Sequence, residues 1–226
     1  MIAHRGASVE RRENTLSAFE RAIELRAEFV ELDVQVTADG ALVVFHDLDL
    51  DRLTPLRGPV RRRSLAQLRE HEIPTVEQVL ELARGRIGVM AELKSPQLYR
   101  RHDVICRTAA LLGRDDALLS FSRRALLEAR SHRPTLRLVQ HVGYGVSLRT
   151  AAGYAWAVGI HDPRVTRRGL RRARELGLET TVYTVNDSRR MRALAAMEVG
   201  GIFTDDPALL RAVLRDCPGR APAAPR

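Results

Sequence analysis

Short apolar runs alternate with longer amphipathic segments along most of the chain. The short runs have the length of buried strands, whereas in the longer segments apolar residues recur every three or four positions, as Leu16, Phe19 and Ile23 do. The pattern predicts strands over residues 2–4, 29–36, 42–45, 87–93, 117–121, 136–142, 155–160, 180–185 and 201–204. It predicts helices over residues 15–26, 75–83, 99–112, 123–131, 164–176, 188–196 and 207–214. Strands that alternate with helices indicate βαβ units and a parallel sheet.

The pattern predicts nine strands, which is one more than the eight of a (β/α)8 barrel. The turn Ala38-Asp39-Gly40 stands between two β-rich runs and predicts a tight hairpin, in which residues 42–45 fold back on residues 35–37. Eight parallel strands remain. The sequence therefore predicts an α/β fold, a TIM (β/α)8 barrel with a small loop and hairpin insertion at the barrel mouth. The hairpin also returns His46 to the level of Asp33.

The remaining segments are predicted to add no second domain. Residues 1–215 are predicted to form a single barrel domain, a size that 226 residues accommodate. Residues 48–63 lack periodicity and contain Pro55 and Gly58, so we expect an insertion loop at the barrel mouth. Residues 216–226 are rich in Ala and Pro and are predicted to be a disordered tail.

Composition and charge narrow the classes of function. No apolar stretch has the length of a membrane span or a secretory leader, so we expect a cytoplasmic protein without stable membrane insertion. The formal charge of +9 would suit a nucleic-acid partner. However, basic residues alternate with acids on the helices and aromatic residues are only 4%, so we expect no nucleic-acid partner. An anionic small-molecule substrate is compatible with this charge, and the oligomeric state is left open.

Carboxylates follow two of the buried strands. Glu31 and Asp33 are two positions apart in an apolar run and therefore point to one face of the strand. Two neighbouring buried carboxylates repel each other and favour a cation between them. The alternatives are a solvated strand edge or a local pair with Arg.

Glu92 and Lys94 end a second apolar run with the same spacing. Catalytic residues of barrels gather at the carboxyl ends of strands, so Glu92 is expected beside Glu31 and Asp33. Three carboxylates make an all-oxygen site, which suits one divalent cation, Mg²⁺ or Ca²⁺. Lys94 is the only lysine among 37 Lys and Arg residues, which suggests a role for a compact ammonium group. The alternative is a simple Glu–Lys structural pair.

Two histidines also stand at strand ends, His4 before Arg5-Gly6 and His46 before Asp47. Two imidazoles on either side of a phosphodiester could serve as general acid and general base. Arg5 offers a planar fork for phosphate oxygens. A single buried histidine is more often structural, but the coincidence of four charged strand ends favours a site.

Taken in order, these motifs resemble the glycerophosphodiester phosphodiesterase family. The motifs are His4-Arg5-Gly6, Glu13-Asn14-Thr15, Glu31-Leu32-Asp33, His46-Asp47, Glu92-Leu93-Lys94, Ser120-Phe121, Thr184-Val185-Asn186 and Gly201-Ile202-Phe203-Thr204-Asp205. The resemblance implies the acid–base pair His4 and His46, the cation ligands Glu31, Asp33 and Glu92, and the phosphate-binding residues Arg5 and Lys94. It further implies that Glu13 orients Arg5.

The chain departs from the family pattern at a few positions. Tyr183 stands where the family often has Trp, and it is expected to bind the alcohol part of the substrate as an amphipathic side chain. Arg12 stands where Pro is common.

The resemblance implies metal-dependent hydrolysis of a small-molecule glycerophosphodiester to sn-glycerol 3-phosphate and an alcohol. The first alternative is a phospholipase D-like or cyclising lipid phosphodiesterase on the same fold, which would need an apolar mouth for acyl chains. The second is a catalytically silent binding module or a basic nucleic-acid binder.

Overall fold

In the computed structural model, whose described residues are 1–143 and 145–216, eight parallel strands close into a barrel. These eight and one further strand, β3, are β1 (Ile2–His4), β2 (Phe29–Val36), β3 (Leu42–Val44), β4 (Gly88–Leu93), β5 (Ala117–Ser120), β6 (Arg137–His141), β7 (Ala157–His161), β8 (Glu179–Tyr183) and β9 (Gly201–Thr204). The ring order is β1-β9-β8-β7-β6-β5-β4-β2, and pairing of β1 with β2 closes it. The predicted TIM-barrel fold class is confirmed.

Strand β3 lies outside the ring. It runs antiparallel to β2, with Val44 opposite Val34, after a turn in which the Thr37 amide donates to the Ala41 carbonyl at 3.0 Å. Gly40 completes this turn with φ +83, a conformation that favours glycine. The Phe45 amide then donates to the Asp33 carbonyl at 2.9 Å, so the predicted hairpin brings His46 to the level of Asp33.

Helices cover the outside of the barrel. They are α1 (Leu16–Glu24), α2 (Leu65–Arg69), α3 (Val76–Ala83), α4 (Val104–Leu111), α5 (Arg123–His132), α6 (Leu148–Ala151), α7 (Arg167–Glu175), α8 (Ser188–Ala196) and α9 (Pro207–Arg215). Most begin at a Ser, Thr or Asp whose side chain accepts a backbone N–H, as Thr15 does for α1 and Asp187 for α8.

The sequence pattern predicted seven of these helices and missed α2 and α6. Both are too short for a periodic apolar face to be visible, although α2 begins with a capping box of Ser64 and Gln67. The helix predicted over residues 99–112 was too long. Its first part consists of 3₁₀ turns over Pro96–His102, and α4 starts after Asp103, which has φ +48.

An apolar plug fills the lower part of the barrel, formed by Ile2, Met90, Ala117, Leu119, Val139, Ala157 and Phe203. Side chains two positions apart in a strand share a face. Two positions after a plug residue near the end of its strand, another side chain therefore points inward, at the mouth of the barrel. His4 follows Ile2, Glu92 follows Met90, His141 follows Val139 and Asp205 follows Phe203 in this way.

The insertion has a small core of its own. Phe45, Leu50, Val60, Leu68 and Ile73 are buried against one another beside the barrel. Residues 48–63 contain a 3₁₀ turn at Val60–Arg62 and an isolated bridge from Asp49 to Pro59. The predicted aperiodic loop is thus held in place by apolar packing.

The division into a domain of residues 1–215 and a tail of residues 216–226 stays a prediction, since residues 217–226 lie outside the described part of the chain. In the described residues, none of the helices has the length and apolar character that crossing a bilayer requires. The cytoplasmic location likewise stays a prediction.

Candidate active site

Three carboxyl groups converge at the barrel mouth. Parallel pairing sets Asp33 of β2 beside Glu92 of β4, and Glu31 lies one inward position below Asp33. All three side chains are buried, and one oxygen from each lies within 4.8 Å of the others. Glu31 Oε1 and Glu92 Oε1 are enclosed without a hydrogen-bond partner among the described residues. Unpaired buried carboxyl oxygens are costly unless a cation or proton compensates them.

The electrostatics of the three acids differ. Burial and the neighbouring Asp33 charge raise the pKa of Glu31 to about 8, and burial also raises the pKa of Glu92. Burial acts on Asp33 in the same sense, but Lys94 and Arg5 outweigh it and hold its pKa at about 2. An all-oxygen set with this excess of negative charge fits a hard divalent cation.

Positive groups surround Asp33. Lys94 Nζ lies 3.0 Å from Asp33 Oδ1 and donates to Glu92 Oε2 at 3.2 Å. Arg5 Nε lies 3.4 Å from Asp33 Oδ2. Asn14 Nδ2 also donates to Asp33 Oδ2, at 2.9 Å. These contacts hold both cationic groups beside Asp33.

The turn after β1 brings Arg5 to this point. Arg5 has φ +58, and its amide donates to Glu31 Oε2 at 3.1 Å. Gly6 follows with φ +85 against α1, where an added Cβ would lie 2.6 Å from the Ala18 carbonyl carbon. Only glycine fits this close approach. The guanidinium Nη1 of Arg5 donates to Glu13 Oε1 at 2.9 Å, as the family resemblance implied.

His4 forms a pair with a carboxylate from the last strand. Its Nδ1 lies 2.7 Å from Asp205 Oδ1, and Asp205 in turn accepts from Asn186 Nδ2 at 2.6 Å and from Ser8 Oγ at 3.2 Å. These partners keep the pKa of Asp205 low despite partial burial, so Asp205 is an acceptor and His4 Nδ1 the donor. His4 Nε2 then faces Glu31 Oε2 at 3.9 Å. Burial lowers the pKa of His4, but Asp205 and Glu31 raise it above its ordinary value.

His46 forms a second pair of the same kind. Its Nδ1 lies 2.6 Å from Asp47 Oδ1. Arg52 donates from Nε to Asp47 Oδ2 at 2.6 Å. Burial raises the pKa of Asp47, but the bonds to Arg52 and His46 outweigh burial and lower this pKa below its ordinary value. Burial lowers the pKa of His46 below its ordinary value, even though the Asp33 charge opposes this. Neutral His46 therefore donates through Nδ1 and exposes Nε2 as an acceptor.

Aromatic rings line the other side of the mouth. We call Phe121, His141, His161 and Tyr183 the aromatic cluster. The Tyr183 ring centroid lies 4.4 Å from that of His141, 5.7 Å from that of His161 and 6.1 Å from that of Phe121. Burial and the charge of Lys94 lower the pKa of His141 to about 3, so this imidazole is neutral.

The structure brings the residues singled out from the sequence to one end of the barrel. His4, Arg5, Glu31, Asp33, His46, Glu92 and Lys94 lie around the three carboxyl groups, and Tyr183 lies in the aromatic cluster. The sequence did not assign roles to Asn14, Asp47, Arg52 and Asp205. A carboxylate directly after a strand end was the available signal for Asp47 and Asp205.

Comparisons with known proteins identify the family of this chain. The model of the glycerophosphoryl diester phosphodiesterase family matches residues 4–209. A glycerophosphodiester phosphodiesterase of Bacillus subtilis is 30% identical over 94% of this chain and 85% of its own length. The solved glycerophosphodiester phosphodiesterase of Agrobacterium tumefaciens is 30% identical, with a TM-score of 0.77 over 95% of this chain and 98% of its own. An Oleispira antarctica phosphodiesterase, solved with the product sn-glycerol-3-phosphate, is 25% identical, with a TM-score of 0.85 over 95% and 96%.

Proposed function

The chain belongs to the glycerophosphoryl diester phosphodiesterase family, and we propose that it hydrolyses glycerophosphodiesters to sn-glycerol 3-phosphate and an alcohol with the aid of a divalent cation and two histidines. Its class is that of the phosphoric diester hydrolases named among its relatives. The observation that carries the proposal is the buried set Glu31, Asp33 and Glu92, flanked by two histidine–aspartate pairs. The product named for the Oleispira antarctica relative supports the same substrate class.

Glu31, Asp33 and Glu92 would hold the cation, Mg²⁺ or Ca²⁺. The unpaired oxygens Glu31 Oε1 and Glu92 Oε1 fit this assignment, since a cation would supply the partner that the protein does not. When bound, such an ion neutralises charge on a phosphoryl group and polarises its oxygens.

Arg5 and Lys94 would bind the non-bridging phosphate oxygens. The Arg5 guanidinium is planar and held by Glu13, so its remaining N–H groups can donate in a fixed direction. Lys94 adds a compact charge, and its pKa lies above the ordinary range because two carboxylates outweigh its burial. Donors that stand ready for developing charge stabilise the transition state more than the substrate.

His4 and His46 would transfer protons through Nε2. Because each Nδ1–H is held by a carboxylate, each ring is fixed in tautomer and orientation. One histidine would take the proton of the attacking water, or of a substrate hydroxyl whose cyclic product water then opens, as the new P–O bond forms. The other would give a proton to the alcohol oxygen as the old P–O bond breaks.

The insertion does not support the lipid-cleaving alternative. Its residues Leu50 and Val60 are buried in their own small core, and Leu53 and Leu56 pack against that core. Among the large apolar side chains of residues 48–63, all of which the structure describes, Leu48 is the exposed one, at 40%. A single exposed leucine gives no apolar surface of the size that acyl chains need.

The test is the release of glycerol 3-phosphate from glycerophosphocholine and glycerophosphoethanolamine, with and without chelator. We expect turnover that chelation abolishes and that Mg²⁺ or Ca²⁺ restores. Glu31→Gln should lose turnover, whereas the matched change Glu77→Gln on the exposed face of α3 should not. Full turnover in excess chelator would contradict the requirement for a cation. If no glycerophosphodiester releases glycerol 3-phosphate, the proposed function is contradicted.

A further inference from the structure

Arg52, in the insertion, contacts two acids that belong to different parts of the site. Its Nε donates to Asp47 Oδ2 at 2.6 Å. Its Nη1 and Nη2 donate to Glu13 Oε2 and Oε1 at 3.0 and 2.6 Å, a bidentate pair. These contacts raise the pKa of Arg52, chiefly through the bond to Glu13, so the guanidinium stays charged.

Each of the two acids holds a residue of the proposed reaction. Asp47 Oδ1 accepts from His46 Nδ1 at 2.6 Å, and Glu13 Oε1 accepts from Arg5 Nη1 at 2.9 Å. A continuous set of charged hydrogen bonds therefore runs from His46 through Asp47, Arg52 and Glu13 to Arg5. His46 follows the β3 hairpin, whereas Arg5 follows β1, and no strand pairing joins these two positions directly among the described residues.

We propose that Arg52 is a positioning residue, which fixes the imidazole of His46 and the guanidinium of Arg5 relative to each other. The inference deepens the proposed function, because it concerns how an acid–base group and a phosphate-binding group are kept in register. Misplacement of a reacting group by about 1 Å can cost a hundredfold in rate. Loss of a single side chain that orients both groups should therefore change kcat more than KM.

The geometry requires arginine. One planar guanidinium offers N–H groups in several directions, and here they meet two carboxylates at once. Lysine keeps the charge but has one nitrogen, so it can bond well to Asp47 or Glu13 but not to both. A lysine variant should keep part of the electrostatic effect and lose the coupling.

The charge of Arg52 also bears on His46. The charged groups that face His46 are Asp33 from β2, Lys94 after β4, Arg5 after β1 and its own neighbour Asp47. Arg52 neutralises Asp47. Without Arg52, the Asp47 carboxylate favours the protonated imidazole, so the pKa of His46 should rise.

Arg57 provides a matched control. It lies in the same insertion, is 74% exposed, and its ion-pair partner Asp51 is 3.6 Å away and outside the site. The insertion core of Leu50, Val60 and Leu68 contains neither arginine, so neither Arg52→Ala nor Arg57→Ala is expected to unfold it.

The experiment compares Arg52→Ala, Arg52→Lys and Arg57→Ala with the wild type in kcat and KM for glycerophosphocholine across pH. In parallel, NMR follows the titration of the His46 imidazole without substrate. We expect Arg52→Ala to lower kcat by about a hundredfold with a smaller change in KM. Its His46 titration should move to higher pH. Arg52→Lys should be intermediate in both, and Arg57→Ala unchanged.

Unchanged kcat in Arg52→Ala would overturn the proposal. So would a loss of kcat with an unshifted His46 titration, since that result indicates a structural role alone. If the wild type hydrolyses no glycerophosphodiester, the proposed function fails, but the NMR titration still decides whether Arg52 orients His46. An unshifted titration in that case also overturns the proposal.

Discussion

Two contiguous arcs of the barrel mouth differ in chemistry. Strands β9, β1, β2 and β4 are neighbours in the ring and end in the charged residues Asp205, His4, Arg5, Glu31, Asp33, Glu92 and Lys94, which we call the charged arc. Strands β5–β8 form the rest of the ring and end in the aromatic cluster. Side chains of the charged arc are bonded to one another, whereas those of the aromatic cluster are in ring contact.

This difference separates two tasks. In the charged arc each group depends on its neighbours, so a change at one residue should alter the charge and orientation of others. In the aromatic cluster we expect that a ring can be replaced with little effect on the charged arc. We therefore expect the charged arc to govern the rate of P–O cleavage and the aromatic cluster to govern the choice of alcohol.

The largest expected effect is the loss of a proposed acid–base group. His4→Ala and His46→Ala should each lower kcat by roughly 10²–10⁴-fold, the usual contribution of a positioned acid or base. His161→Ala is the matched change in the aromatic cluster and should leave kcat within a few-fold. Steady-state release of glycerol 3-phosphate measures all three, and an equal loss in His161→Ala would remove the distinction between the two arcs.

A smaller effect is expected at the carboxylate that orients His4. Asp205→Asn keeps the shape but removes the charge that fixes Nδ1–H of His4. For histidines that bind a metal, carboxylate partners of this kind contribute about 10–100-fold, and we expect a loss of that order here. The neighbouring change Asp206→Asn retains a side-chain oxygen at the start of α9 and should leave kcat unchanged. A wild-type rate for Asp205→Asn would show that His4 needs no such partner.

Next in size is the selectivity for the alcohol. Tyr183→Ala removes a ring from the aromatic cluster and should raise KM for glycerophosphocholine, while Tyr183→Phe should retain most of the affinity. Contacts between a cation and an aromatic face are worth about 0.5–2 kcal/mol, which is roughly 2- to 30-fold in affinity. The ratio of kcat/KM for glycerophosphocholine and glycerol phosphodiesters without a cationic alcohol measures this effect. An unchanged ratio would contradict a role in selectivity.

The smallest effect concerns stability in chelator. Burial raises the pKa of Glu31 from 4.5 to about 8, so between those values the folded state binds a proton that the unfolded state has released. The free energy of unfolding therefore falls as pH rises through this window. The low pKa of Asp33 acts in the opposite sense only below pH 4. Thermal unfolding from pH 5 to 8 should show a drop in Tm, about 2–4 °C per kcal/mol, that is smaller in Glu31→Gln. An equal drop in Tm for the wild type and for Glu31→Gln would contradict the assignment of this pH dependence to Glu31.

Much of this arrangement could be predicted from the sequence, because its causes are local. The alternation of strands and helices indicates the barrel, and the spacing of Glu31 and Asp33 on one strand places both carboxylates on its inner face. The turn at Gly40 fixes the hairpin, which places His46 at the level of Asp33.

The remaining features depend on contacts between distant parts of the chain. Arg52 lies in an aperiodic segment, and its bond to Glu13 spans 39 positions, so no pattern marks it. The pairing of His4 with Asp205 follows from closure of the ring, since the position of Asp205 after a strand marks the residue but not its partner. Helices α2 and α6 escaped prediction because one turn or little more shows no period.

The pairing of His4 with Asp205 also has a consequence for protein synthesis. The two residues are 201 positions apart, and β1 can pair with β9 only once β9 has been made. At 5–20 residues per second, His4 is added to the chain roughly 10–40 s before its partner. A nascent chain, or one that stops before β9, therefore lacks an oriented His4. We therefore expect a chain to hydrolyse its substrate only after β9 has been synthesised and paired.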